Sequence, residues 1–396
     1  MCKVNAALVP AALAAALFTT GVLAQEQPAP ARPPPNPTQQ RVPGIPGSGP
    51  GAAPTAERSV PAETKIASVK DPKWKAPRTS WGVPSLDGQW SVDDMRGIPA
   101  VRPENFGTRE SLTQEEFMQR ARQQQGGDDR ARKEETFLRN EWGTRVFGFA
   151  SLLVDPPNGR MPELTAAAKA KAAAAKPQGT FSNQVVFNNF EDFTLYDRCI
   201  TRGIFGSVLP SIYGNGIRIT QGPDQISISY EMIHDTRVID LTSKKHLEGD
   251  IEQYMGNARG HWDGDTLVVE STNFTDKVGV GARGGASTKL KITERYRRVD
   301  PEMIEYRATI EDPETYTAPF TYRVMFTKPP AKDYEVYEYS CHEGNGAVGH
   351  ALSGERAYER QVAEAKAKGL PIPKRGGNLY GAPEEGSRIF NINQGE

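Results

Sequence analysis

The chain has only three cysteines in 396 residues, and none of them forms a Cys-x-x-Cys pair. His-x-His and His-Glu-x-x-His are absent as well, so no zinc-type ligand spacing is present and no resident metal is expected. There is no Gly-x-Ser-x-Gly elbow, and no glycine-rich loop opens a helix, which removes the usual signatures of a serine hydrolase and of a phosphate or dinucleotide site. No cofactor is expected. A surplus of one charge sign is also missing: 48 basic residues stand against 49 acidic ones, a formal net charge of −1. That balance leaves no basic footprint for nucleic acid. Beyond the N-terminus, no run approaches the roughly 20 apolar residues of a membrane span.

What is present begins with a leader. Lys3 is followed by an apolar run from Ala6 to Phe18, too short to cross a bilayer, and Val22-Leu23-Ala24 offers small residues for signal peptidase. The expectation is a signal peptide over 1–24 cleaved after Ala24, and a mature protein that is periplasmic or secreted, with no integral membrane segment. Cys2 precedes the apolar run, whereas a lipoprotein cysteine would follow it. Cys199 and Cys341 then remain, and an even pair in an oxidising compartment reads as one disulfide, with two buried thiols as the alternative. Closing a loop of about 140 residues, the bridge would contribute up to ~5 kcal/mol in the chain-entropy model.

From Gln25 to Ala76 the chain is rich in Pro, Ala, Gly and Gln with few large apolar residues, the composition of a disordered tether. Residues 77–178 read as an N-terminal elaboration. It holds a short strand around Trp90, a helix from Leu112 to Trp142 broken at Gly126-Gly127 and opened by a Thr113/Glu116 capping box, and a surface Ala/Lys helix over Glu163 to Lys176. Residues 179–350 change character to short β-branched and aromatic runs separated by turn signals. These are Val185 to Phe187, Ile217 to Thr220, Ile226 to Leu241, Leu267 to Thr272, Leu290 to Val299, Met303 to Ile310, Thr321 to Thr327 and Val336 to Cys341. With no long helices between them, they predict one antiparallel β-barrel of about eight strands, mainly β and lipocalin-like in style. Asp263-Gly264 marks a type I′ hairpin. Residues 351–396 read as a polar helix over Gly354 to Lys368 and a tail.

Five motifs stand out: Asp197-Arg198-Cys199-Ile200-Thr201-Arg202-Gly203; Glu231-Met232-Ile233-His234-Asp235-Thr236-Arg237; Gly260-His261-Trp262 through Val269; Asn273-Phe274-Thr275-Asp276-Lys277; and Tyr337 through Asn345. Together they resemble a family of exported bacterial proteins of unknown function, over roughly Leu86 to Ala357. The resemblance implies compartment and domain extent, and no activity.

Period-two alternation along Ile226 to Leu241 puts Ile226, Ile228, Tyr230, Met232 and His234 on the apolar face, with Asp235 and Arg237 opposite. An inward histidine flanked by charge is suited to acid–base chemistry, although a core histidine bonded to backbone fits the same pattern. In the hairpin, His261 is expected opposite Thr266 and Arg259 opposite Val268, so that Arg259 and His261 share a polar face that either lines a ligand cavity or meets solvent. Glu294 is in phase with Leu290, Ile292 and Tyr296; an inward carboxylate there requires a nearby Arg or Tyr. If Cys199 and Cys341 are joined, Arg198, Thr201, Arg202 and His342 gather near the bond, where the arginines suit an anion. Adjacent strand residues point to opposite faces, so Cys341-His342-Glu343 makes a poor metal site. Tyr213, in a glycine-flanked loop, fits a proton donor, a stacking ring or a loop anchor.

The reading these residues favour is an exported acid–base enzyme, metal- and cofactor-independent, of lyase or isomerase type, acting on a small aromatic or largely apolar compound. His234 would be the acid or base, Tyr213 or Tyr230 a proton donor, and Arg198 or Arg202 the anion stabiliser. A non-catalytic periplasmic binder of an apolar ligand and a cell-envelope interaction protein are the alternatives.

Overall fold

The computed structural model describes residues 71, 73–122, 145, 147–179, 185–211, 213–278, 285–329 and 335–375. The expected leader, almost all of the expected tether, the Gly126-Gly127 break and the end of the tail lie outside the described residues. Ten strands are formed: β1 (Gly88–Ser91), β2 (Leu153–Asp155), β3 (Gly216–Gln221), β4 (Gln225–Tyr230), β5 (Thr236–Asp240), β6 (Asn257–Asp263), β7 (Thr266–Thr272), β8 (Lys291–Asp300), β9 (Met303–Glu311) and β10 (Phe320–Thr327). They pair in the order β1-β3-β4-β5-β6-β7-β8-β9-β10, and β10 returns to β1 through Ser91 opposite Thr327. The result is a closed nine-stranded barrel, mainly β, with β2 added at β10 outside the ring. Closure leaves no long unpaired edge.

Alternation builds the interior. Ile292, Glu294 and Tyr296 on β8 and Ile304, Tyr306, Ala308 and Ile310 on β9 are all buried, while Arg295 and Arg297 between them are exposed. Trp90, Tyr296, Tyr306 and Phe326 are fully enclosed, and the last three form one aromatic group, with Tyr306 stacked on Phe326 at 5.1 Å. Inward side chains from all nine barrel strands pack into one contiguous core, so the centre of the barrel is filled by its own side chains.

Several expectations are corrected. The run from Ile226 to Leu241 is two strands, because the chain reverses through a tight turn at Met232–His234, with φ +66° at Ile233 and +46° at His234. β4 and β5 then pair antiparallel, Ile228 opposite Arg237. The reversal changes the phase: Arg237 and Ile239 point inward, and His234 is exposed. Val185 to Phe187 and Val336 to Cys341 form no strand. In the β6/β7 hairpin the two-residue loop is Gly264-Asp265, one residue later than expected, so that Asp263 pairs with Thr266, His261 with Val268 and Arg259 with Glu270. Only Gly264 has a positive φ, the sign pattern of a II′ turn. The sheet is also not wholly antiparallel. β5 meets β6 in parallel through Asp240 and Arg259 after the crossing segment 241–256. At that seam a Cβ on Gly260 would lie 2.7 Å from both Ile239 Cγ2 and Leu241 Cδ2, so the approach requires glycine.

The helices follow local chemistry. Glu116 accepts from the Thr113 backbone N–H at 2.8 Å and Thr113 Oγ1 from that of Glu116 at 3.2 Å, the capping box read in the sequence. Thr165 caps the Ala166–Ala174 helix, which buries none of its residues. The C-terminal helix starts at Ala347, earlier than Gly354, and runs to Ala367. β1 and β2, from the expected elaboration, belong to the barrel sheet.

Candidate functional site

Two polar groupings stand out, one inside the barrel and one stapled by the disulfide. Inside, Glu294 is fully buried and accepts from Arg237 Nη1 at 2.9 Å, Arg237 Nη2 at 2.6 Å, Tyr296 Oη at 2.7 Å and Tyr306 Oη at 3.0 Å. Arg237 Nη2 also donates to Ser271 Oγ at 3.0 Å. The inward carboxylate thus has the arginine and tyrosines its burial demands. Burial alone would lower the Arg237 pKa, but Glu294 and the surrounding tyrosines outweigh it and hold it well above the ordinary value. This pair turns inward, committed to itself.

The second grouping gathers three distant segments. Cys199 and Cys341 are bonded across a sequence separation of 142, which fixes the coil 335–346 against residues 197–203. Asn345 Nδ2 reinforces the junction by donating to the Asp197 carbonyl at 3.1 Å. The phenols of Tyr196, Tyr213 and Tyr339 come within hydrogen-bonding reach of one another, and the Arg202 guanidinium lies 5.4 Å from the centre of the Tyr196 ring. Burial pushes Tyr196 up to about 12 and also raises Tyr339, so both phenols are neutral hydrogen-bonding groups at physiological pH. Burial lowers Arg202 while the three phenols oppose it. Among the described residues Arg202 has no carboxylate partner.

Tyr339 connects this cluster to the β4/β5 turn. Its backbone carbonyl lies 2.9 Å from His234 Nδ1. A carbonyl only accepts, so Nδ1 carries the proton, and in the neutral ring the lone pair is on Nε2. Next to it, Asp235 accepts from Thr201 Oγ1 at 2.5 Å, and Thr201 Oγ1 accepts in turn from the Gly203 N–H at 3.0 Å. Burial raises the Asp235 carboxyl pKa, against the opposing pull of Thr201, Arg237 and His234. Three of the four described non-glycine residues with positive φ, Cys199, Ile233 and His234, lie here. For β-branched Ile233 the conformation is costly, about 1–3 kcal/mol, and such strain gathers where side chains are aimed for use.

The structure thus brings His234, Arg202 and Tyr213 into one neighbourhood and separates the rest. His234 reaches it from an exposed turn, which corrects the inward placement. Tyr230 is buried in the barrel beside Arg237, and burial pushes its phenol up to about 12. Arg198 turns away to stack 4.9 Å over Phe190, and His342 is exposed beyond the bridge. Arg259 and His261 lie on the outside of the barrel, Arg259 ion-paired with Asp240. Glu294 is buried with its own partners and does not face a ligand site. Sequence reasoning missed Tyr196, Tyr339, Asp235 as a shifted carboxyl, and Arg237 as the inward cation. The signal for Arg237 was its need to face Glu294.

No family model matches the chain, and no curated protein matches it. Among solved structures, part of the chain matches the crystal structure of a "secretary abundant heat soluble (SAHS) protein" from Ramazzottius varieornatus, 14% identical, over 34% of this chain and 86% of that one, with a TM-score of 0.20. An overlay of that score carries no argument about function, and closure of the barrel rests on its strand pairing.

Proposed function

We propose that this protein is an exported acid–base enzyme, of lyase or isomerase type, which binds a small aromatic compound carrying or developing negative charge at the disulfide-stapled end of the barrel. The observation that carries the reading is Arg202, a cation with no carboxylate partner among the described residues, set against three phenols and linked through Tyr339 to a histidine of defined tautomer. His234 Nε2 takes a proton from the substrate, leaving the electron pair on a carbonyl or phenolic oxygen. Arg202 stabilises that oxyanion, and a neutral phenol of the trio donates a hydrogen bond to it. The electron pair then collapses from the oxygen back into the carbon framework: in an isomerase a different carbon takes the proton from His234, and in a lyase a C=C bond forms as the bond to the β leaving group breaks and that group takes the proton, so nothing is oxidised or reduced. The Cys199–Cys341 bridge supports work in an oxidising compartment.

The test incubates the mature protein with pooled environmental aromatics and follows them by mass spectrometry beside His234→Ala and Arg202→Gln. Turnover that disappears in His234→Ala and is strongly reduced in Arg202→Gln is the expected result. The filled interior favours a second reading, a non-catalytic surface that captures a ligand or an envelope partner. Co-purification of an unchanged compound by all three proteins, with no product, would select that reading and end the first.

A further inference from the structure

We propose that the outer face of β8, β9 and β10 binds a polyvalent oxyanion of the phosphate or sulfate type on a row of arginines. Register creates the row: Arg295 stands directly opposite Arg307, and Arg307 directly opposite Arg323. Directly opposed residues on neighbouring strands have Cβ atoms about 4.5–5.5 Å apart, and like charges at that spacing destabilise the sheet. A barrel keeps three in line only against a cost, unless something of opposite sign offsets it.

The protein's own carboxylates offset it incompletely. Glu305 holds Arg307 Nε at 2.9 Å and Glu110 holds Arg323 Nη1 at 3.1 Å. Arg295 and Arg297, both exposed on the same outer face, have no ion-pair partner among the described residues. Glu270, on the neighbouring strand, is already occupied by Lys291 at 2.8 Å. Four guanidinium groups therefore share two carboxylates. Arg323 is held rigidly, its guanidinium 4.1 Å over the Phe149 ring with a side chain only 12% exposed, and its Nε and Nη2 make no hydrogen bond. Burial lowers its pKa, with Arg307 and Arg102 pushing the same way and Glu110 and Glu305 opposing them, and Glu110 is the one carboxylate in contact with this fixed end of the row among the described residues.

Beside the arginines runs a second row of one chemistry, Thr293 opposite Thr309 opposite Thr321, with the last two hydroxyls 3.0 Å apart. Guanidinium forks bind tetrahedral oxyanions bidentately, and hydroxyls complete the coordination of their remaining oxygens. The near-zero net charge of the whole chain conceals this surface, because it sums over positions that the fold separates. Binding here uses none of the residues of the proposed catalytic end.

The experiment uses the full mature chain, with inorganic pyrophosphate and heparin oligosaccharide as probes and sodium chloride at matched ionic strength as the reference. Calorimetric titration and thermal melting are followed for wild type, for Arg295→Gln/Arg307→Gln, and for Arg160→Gln as a control arginine elsewhere. Saturable binding with a raised Tm is expected in wild type and Arg160→Gln, and a loss of about tenfold or more in the double variant, from which charge-assisted donors are gone. Without probe the double variant should melt no lower than wild type, since it removes repulsion; its lost binding is then not misfolding. Pyrophosphate alone would identify a small free oxyanion, and heparin alone a sulfated polymer lying along the row; either upholds the proposal. Binding no stronger than the chloride reference, or unchanged in the double variant, overturns it.

Discussion

Glu294→Ala should come close to unfolding the barrel. The carboxylate accepts four hydrogen bonds, two from Arg237 and one each from Tyr296 and Tyr306, in a site closed to water. Removing one member of a buried ion pair costs about 3–5 kcal/mol, because the other charge stays behind without a partner. Each phenol that loses its acceptor adds about 1–3 kcal/mol, less than additively since they share one centre. A total above about 5 kcal/mol follows, comparable with the whole stability of a domain at about 5–15 kcal/mol. Glu294→Gln keeps an acceptor for the tyrosines but leaves Arg237 uncompensated, so it should still cost about 3 kcal/mol or more. Arg237→Met/Glu294→Gln removes both charges and should be more stable than Glu294→Gln alone. Urea unfolding followed by circular dichroism, with the m-value checked for constancy, measures the cycle. A double variant as unstable as the sum of its parents would refute the reasoning, because the pair would then act through packing and not through charge.

Other consequences are directly measurable. Reduction, or Cys199→Ser/Cys341→Ser, should lower the unfolding free energy from urea titration by up to about 5 kcal/mol in the chain-entropy model for the loop of 142, and should release Tyr339 from Tyr196 and Arg202, seen as altered tyrosine fluorescence. Gly260→Ala puts a methyl against Ile239 and Leu241 at the parallel seam and should cost about 1–3 kcal/mol by overpacking; an unchanged midpoint would contradict that close approach. Asp235 and Asp312 should titrate with opposite signs. Burial raises Asp235 above 3.8, so its contribution to stability is full below that pH and is lost as pH rises through its folded pKa. Burial would also raise Asp312, but hydrogen bonds from Ser287 and Thr315 hold it below 3.8, so its contribution is present above that pH and is lost on acidification through its folded pKa. Urea midpoints from pH 3 to 7 for Asp235→Asn and Asp312→Asn should each lose one of these slopes; the same slope lost in both would show the assignment wrong.

Much of the barrel wall was legible along the chain, since strands buried on one face must alternate. β4 and β9 follow the alternation closely, and the inward phase of Glu294, with its demand for an Arg or Tyr, could be read from Ile292 and Tyr296 alone. The cysteine pairing was legible too, because Cys199 and Cys341 are the only cysteines beyond Cys2. The turn at Ile233-His234 was not, because it has no glycine, asparagine or proline to mark it and is held by contacts with Tyr339 from more than 100 residues away. Missing it inverted the phase, which moved His234 outward and Arg237 inward, as a one-residue slip always does in a strand. The tyrosine cluster around Arg202 and the arginine row across β8, β9 and β10 share that character. Each is made of residues unremarkable in their own segments, and their chemistry comes from which strands the barrel sets side by side. Periodicity is local and survives in the sequence; register and closure are long-range, and only the folded chain determines them.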